Sequence, residues 1–124
     1  PIRQALVDLR RRNGLFLFAD YVEEANRAMD ALFEYRRKTI DFANLEEVRT
    51  LLRRTAVTAD WYRRCMEAAP EAYQQSVEFK RLIDVSLASL SLIWEAARER
   101  NQRRVINILR ELRSSDRLLY LRFG

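Results

Sequence analysis

The sequence predicts an all-α fold: an antiparallel up-down-up-down four-helix bundle with an extra short N-terminal amphipathic helix. The 124 residues include only two Gly and two Pro, whereas a β-sandwich or barrel of this length needs many turns that draw on both. Apolar residues make up 48% of the chain and charged residues 33%, a balance typical of helices with long solvated faces. The length fits one domain over 1–124, with an accessory helix in 1–14 and the bundle in 15–124.

The first predicted helix covers residues 2–12. Its apolar side chains Ile2, Leu6 and Leu9 recur at steps of four and three, and arginines follow at its end, where cations complement the helix dipole. The Asn-Gly pair at 13–14 is a typical helix stop. This segment is therefore expected to be a short amphipathic helix outside the four-helix core.

The next two helices are predicted over 15–39 and 45–68. Apolar residues recur in both at alternating steps of three and four, as in a heptad pattern. The first seam comprises Phe18, Val22, Ala25, Met29 and Leu32, and it continues to Arg36; the second comprises Leu45, Val48, Leu52, Thr55, Ala59, Tyr62, Met66 and Ala69. Either Asp41 or Asn44 is expected to cap the second of these helices, and Pro70 is expected to close it.

The last two helices are predicted over 71–100 and 102–122. The run "VSLASLSLIW" is almost continuously apolar, so the helix that carries it is expected to be the most buried. The expected core residues are Phe79, Leu82, Ile83, Leu87, Leu90, Ile93, Trp94 and Ala97 in the first of these helices, and Val105, Ile106, Leu109, Leu112, Leu119 and Phe123 in the second. Short connections between long helices predict the up-down order of the bundle.

The composition argues against the common kinds of reactive site. Histidine is absent, which removes the most frequent general base and the usual metal ligand. Cys65 is the single cysteine, so an internal disulfide is impossible. The two glycines, Gly14 and Gly124, cannot form a glycine-rich phosphate loop. We therefore expect a protein that is not an enzyme and that holds neither a metal ion nor a cofactor.

The net charge of +5, with a pI near 9.9, favours anionic partners. Arginines are concentrated at 10–12, 36–37, 53–54, 63–64 and 103–104. One interpretation is non-specific nucleic-acid binding through phosphates. The alternative is that these arginines form ordinary solvated helix faces, because the clusters fall on different helices and no aromatic residues are interleaved with them for base stacking.

Three aromatic residues, Tyr35, Trp61 and Tyr62, lie on or beside the predicted seams. One interpretation is that they are exposed and surrounded by arginine, as protein-binding hot spots often are. The other is that they close the ends of the core. The sequence leaves both interpretations open.

The chain resembles the soluble periplasmic cytochrome b562 family over roughly residues 22–123. The resemblance is carried by "NRAMDAL", by "LEEVRTLLRR" and by the closing "LRSSDRLLYLRF". It implies a four-helix bundle whose family holds haem between an axial methionine and an axial histidine. Met29 falls on the methionine position and Tyr120 on or beside the histidine position. Tyrosine can bind haem iron, so a haem-binding electron-transfer protein is one alternative, and a bundle that lost its haem chemistry is the other.

The preferred functional hypothesis is a helical protein that binds another macromolecule. The preferred partner is a protein, which includes a second copy of the same chain. The docking surface is expected to combine the first helix with neighbouring basic and aromatic residues. The predicted partner-binding residues are Ile2, Leu6, Leu9, Arg10, Arg11, Arg12, Tyr35, Arg36 and Arg37. No stretch approaches the roughly 18 apolar residues that span a membrane, and the apolar run in "RRRNGLFLFAD" is too short for an export signal. We therefore expect a cytoplasmic protein.

Overall fold

A computed structural model describes residues 2–12 and 17–123, and all regular secondary structure in these ranges is helical. The all-α prediction is thus confirmed for the described residues. The elements are α1 (Ile2–Arg12), α2 (Phe18–Phe33), a 3-10 turn (Glu34–Arg36), α3 (Leu45–Ala68), α4 (Glu71–Gln74), α5 (Val77–Arg98) and α6 (Gln102–Phe123).

Helix α3 has the bounds that the sequence predicts. The side chain of Asn44 accepts hydrogen bonds from the backbone N–H groups of Glu46 (3.1 Å) and Glu47 (3.3 Å), so Asn44, and not Asp41, is its N-cap. At the other end Ala69 is extended, with φ −61° and ψ 142°, because the following Pro70 disfavours helical geometry in the residue before it.

Helix α2 is shorter than the predicted segment 15–39. At its start, the buried carboxylate of Asp20 accepts a 2.9 Å hydrogen bond from the N–H of Leu17; residues 15 and 16 lie outside the described ranges. After Phe33 the chain tightens into the 3-10 turn, and residues 37–39 are not helical. The prediction of helix to residue 39 is therefore wrong.

The segment 71–100, predicted as one helix, forms the short α4 and the long α5. Ser76 is extended, with φ −75° and ψ 120°, and its hydroxyl accepts a 3.2 Å hydrogen bond from the N–H of Phe79. A serine in this geometry begins a new helix. The continuous helix is wrong at this point because Ser76 caps α5.

The turn between α5 and α6 depends on Arg100, which has φ 55° and lies in the left-handed region. The N–H of Arg100 donates to the carbonyl of Ala97 (3.0 Å), and the N–H of Asn101 donates to that of Ala96 (2.9 Å). These two bonds form a Schellman motif, which satisfies the last carbonyls of α5.

The four long helices pack in the pairs α2–α3, α3–α5, α5–α6 and α2–α6. The largest fully buried side chains between them are those of Tyr35, Tyr62, Phe79, Met29, Leu32, Leu51, Ile83, Leu90, Ile93, Leu109, Leu112 and Leu119.

The predicted seams are partly wrong, because Leu45 is 67% exposed and Trp94 is 46% exposed. On α3 the predicted Thr55, Ala59 and Tyr62 are buried. Leu51, Thr58 and Cys65, which lie outside the predicted seam, are buried as well.

Four aromatic rings tie several elements together at one end of the molecule. Phe18, Tyr73, Phe79 and Phe123 come from α2, α4, α5 and α6, and the rings in contact have centroids 5.0–5.9 Å apart. Elsewhere, the Gln102 side chain accepts from the N–H of Ile40 (2.9 Å) and donates to the carbonyl of Lys38 (3.2 Å). These bonds attach the loop before α3 to the start of α6.

None of the helices in the described ranges combines the length and apolar character that crossing a bilayer requires.

Candidate functional site

Two arginines from different elements lie over one buried aromatic ring. Cζ of Arg36 lies 5.2 Å from the ring centroid of Phe33, and Cζ of Arg113 lies 5.4 Å from the same centroid. Phe33 ends α2, so the 3-10 turn that follows brings Arg36 back over it. Cation–π contact of this kind holds a planar guanidinium group in place while its N–H edges can still bind other groups.

These two residues belong to a larger group of cations, which we call the arginine cluster and define as Arg36, Arg37, Arg110, Arg113 and Arg117. Burial lowers the pKa of Arg36 below its ordinary value, and the positive charges of the other four members lower it further. Nε of Arg36 is also buried and has no hydrogen-bond partner among the described residues. Within residues 2–12 and 17–123, no member of the cluster forms an ion pair with a carboxylate.

A cleft of about 380 Å³ opens beside the cluster. It is lined by Asp30, Phe33, Glu34, Arg36, Arg37 and Arg113. Glu34 forms a 3.2 Å ion pair with Arg54, which lies outside the cluster. This ion pair offsets the negative charge of Glu34. The cleft therefore presents arginine N–H groups in an excess of positive charge, an arrangement suited to an anion.

The apolar residues predicted to dock a partner are exposed on α1. The exposed fractions are 78% for Ile2, 49% for Leu6 and 49% for Leu9. Arg12, at the end of the same helix, is also exposed. The side chains of Arg10 and Arg11 lie outside the described part of the structure.

Tyr35 does not form part of an exposed surface, because it is only 1% exposed. Its ring lies beneath the cations of Arg54 (5.4 Å to the centroid) and Lys38 (5.8 Å), and its burial raises the pKa of the phenol. The interpretation of Tyr35 as an accessible hot spot is thus corrected. The neighbouring Arg36 is half-buried and Arg37 is exposed, so the basic part of that predicted surface is accessible.

The other two candidate aromatic residues also differ in exposure. Trp61 is partly buried, with Cζ of Arg64 4.9 Å above its ring and the ring of Tyr21 at 6.2 Å. Tyr62 is completely buried. Of the three aromatics, only Trp61 retains accessible surface.

The interior contains a polar pair that the sequence interpretation missed. Tyr62 donates a 2.5 Å hydrogen bond from its hydroxyl to Oδ1 of the buried Asp116. Burial raises the pKa of the Asp116 carboxyl to about 6, although the bond from Tyr62 acts in the opposite direction. Burial and the charge of Asp116 also raise the pKa of Tyr62 well above its ordinary value. The core therefore contains two titratable side chains in direct contact.

Two further polar side chains lie near this pair. Burial and the charge of Asp116 raise the pKa of the Cys65 thiol to about 12, so it remains protonated and unreactive at neutral pH. Ser86 is also buried, and its hydroxyl partly opposes the rise in the pKa of Tyr62. None of these groups is open to a ligand in solution.

Met29 and Tyr120, which fall on or beside the axial positions of the resemblance, lie in different surroundings. Met29 is completely buried among core side chains, whereas the hydroxyl of Tyr120 donates a 3.3 Å hydrogen bond to Glu23. Glu23 lies six residues before Met29, which is about 9 Å along α2 at the rise of a regular helix. Haem binding by Met29 and Tyr120 therefore stays a prediction of the resemblance.

Sequence reasoning identified Arg36 and Arg37 but missed the three arginines of α6. Arg110, Arg113 and Arg117 follow at i, i+3 and i+7, which places them on one face of a helix over about 10 Å. That spacing was a usable signal. Their position opposite Phe33 depends on how α2 packs against α6, and the spacing alone does not give it.

Across residues 2–12 and 17–123, acidic and cysteine side chains form no group of three or more that could hold a metal ion. Comparison of the chain with protein-family models, with curated proteins and with solved structures finds no match.

Proposed function

We propose that this protein is a non-enzymatic helical interaction protein. It binds a protein partner through α1 and through the basic surface that includes Arg36 and Arg37. The observation that carries the proposal is the exposure of Ile2, Leu6 and Leu9 on one amphipathic helix. Apolar anchors at such spacing are what a helix presents to a hydrophobic groove. Burying each of them contributes about 1.5–3 kcal/mol before the costs of association.

The proposed scaffold is an antiparallel up-down-up-down four-helix bundle of the kind found in the cytochrome b562 family, with α1 as an accessory helix. Contacts between helix ends support it. The start of α2 meets the end of α6 through Glu23 and Tyr120, and the start of α5 meets the end of α6 through Glu78 and Arg122. A bundle of this order needs only four helices, so α1 is available for docking.

The non-enzymatic character of the proposal is supported by the sequence and by burial. Histidine is absent, and the titratable groups with the most perturbed pKa values, Tyr62, Cys65 and Asp116, are buried away from solvent. A substrate could not reach them without opening the core. A cytoplasmic location belongs to the same proposal, and fractionation of the host cell tests it.

Removal of residues 1–13 tests the proposal. Because α1 lies outside the four close helix pairings, the shortened chain should keep its helical circular dichroism and its cooperative unfolding. Its self-association in sedimentation, or its co-purification with the partner, should be lost. A shortened chain that unfolds would assign α1 to the core, and one that associates like the full chain would rule out α1 as the docking element.

A further inference from the structure

The arginine cluster brings five positive charges close together. Its five members, Arg36, Arg37, Arg110, Arg113 and Arg117, lie close enough for four of them to lower the pKa of the fifth, and none has a carboxylate partner within the described ranges. Like charges held together in this way repel each other. A bound anion would remove that repulsion.

The geometry favours a ligand that accepts hydrogen bonds from several guanidinium groups at once. Arg36 and Arg113 are fixed over Phe33, so little conformational entropy is lost when their N–H groups bind a ligand. In the described part of the chain, the buried Nε of Arg36 has no hydrogen-bond partner. Planar forks of this kind match the oxygens of phosphate, which carries up to two negative charges and three strong acceptors per group.

The surroundings limit the size of the ligand. The α6 face of the cluster extends about 10 Å from Arg110 to Arg117. Asp30 lines the same cleft and would repel an anion that extended past it. Phe33 and Tyr35, the aromatic rings beside the cluster, are buried and offer no surface for base stacking. A compact ligand with several charges therefore fits better than a nucleic-acid strand.

The geometry points to a binding site for a compact phosphate-type polyanion at the arginine cluster, with Arg36 and Arg113 as its central ligands and Arg37, Arg110 and Arg117 around them. This assigns a ligand class to the basic part of the proposed docking surface and rests on the proposed function to that extent. The cleft has room for such a group, since its volume is about 380 Å³.

The test is isothermal titration of the full chain with inorganic tripolyphosphate at low salt. We expect one binding event, weakened about tenfold for each arginine removed in Arg36→Gln/Arg113→Gln, because a hydrogen bond to a charged group contributes roughly 1.5–3 kcal/mol. The matched control is Arg49→Gln/Arg53→Gln. It removes the same charge from exposed positions of α3 and should bind like the unmodified chain.

A second variant guards against a loss of folding. Arg110→Gln/Arg117→Gln changes two exposed side chains, so it should keep the melting temperature and still weaken tripolyphosphate binding. No heat of binding, or equal weakening in the Arg49/Arg53 control, would overturn the inference. If an oligo-aspartate peptide binds as tightly as tripolyphosphate, the ligand class is carboxylate and not phosphate. If a single-stranded oligonucleotide binds more tightly than tripolyphosphate, the ligand class is nucleic acid.

The α1 variant Ile2→Gln/Leu6→Gln/Leu9→Gln separates this inference from the proposed function. It should lose protein association and bind tripolyphosphate normally. If the α1 variant still associates with protein while the arginine variants no longer bind tripolyphosphate, only the proposed function fails. The inference itself fails if the affinity for tripolyphosphate does not depend on the arginine cluster.

Discussion

Tyr62 of α3 donates a 2.5 Å hydrogen bond to Asp116 of α6, and both side chains lie in the core. The bond joins two helices that are not among the four closely packed pairs, so it spans the interior. A buried polar pair of this kind is costly to leave incomplete, because each partner has already lost its contact with water.

Tyr62→Phe should lower the free energy of unfolding by about 1–3 kcal/mol, since the Asp116 carboxyl would stay buried without its donor. Urea denaturation monitored by circular dichroism measures the change. Tyr73→Phe is the matched control, because no hydrogen bond to another side chain involves its partly buried hydroxyl in the described ranges. Equal effects of the two substitutions would contradict a structural role for the Tyr62–Asp116 bond.

Stability should fall as the pH rises through the pKa of Asp116. The folded-state pKa is about 6 and the unfolded value is about 3.9, so the folded state binds more protons between these limits. The contribution, about 2–3 kcal/mol, is fully present below the unfolded pKa and is lost as the pH rises through about 6. Denaturation curves of the natural chain and of Asp116→Asn over this range measure it. An identical pH slope in the two proteins would contradict the raised pKa.

Arg100→Gly should stabilise the protein by about 1 kcal/mol. Arg100 has φ 55°, a conformation that is costly for a residue with a side chain and easy for glycine. Thermal unfolding gives the change. Arg98→Gly, in the last turn of α5, is the contrasting control and should destabilise by about 1 kcal/mol. A loss of stability in Arg100→Gly would show that its side chain outweighs its backbone strain.

The Cys65 thiol should resist modification in the folded protein. It is completely buried, and its pKa of about 12 leaves almost no thiolate at neutral pH. A thiol-specific colour reagent should react with it only as the protein unfolds, with a rate that increases with denaturant. Rapid labelling of the native protein would mean that the core around Tyr62 and Asp116 opens readily.

The parts of the fold that local signals encode could be predicted from the sequence. Helix α3 has its expected bounds because Asn44 supplies a cap and Pro70 a stop. The seam of α2 is also confirmed, with Val22, Ala25, Met29 and Leu32 buried. These outcomes depend on residues close together in the chain, and the spacing of apolar residues is sufficient to identify them.

The remaining features depend on packing between elements that are distant in sequence. The burial of Asp116 could not be read from its neighbours in the chain, because its hydrogen-bond partner Tyr62 lies 54 residues earlier. Trp94 matched the apolar spacing but faces outward, because the nearly continuous apolar run of α5 leaves the orientation of the helix undetermined. Arg100 gave no signal, since its conformation is usually the one that glycine adopts.

The most direct test of the account compares two triple variants in quantitative co-purification from the native host. Ile2→Gln/Leu6→Gln/Leu9→Gln removes the apolar face of α1, and Leu45→Gln/Val77→Gln/Leu121→Gln removes three exposed apolar side chains elsewhere. The account predicts that the first variant loses the protein partner while remaining folded, and that the second retains it. Retention of the partner by the α1 variant, or equal loss in both, would contradict docking through α1.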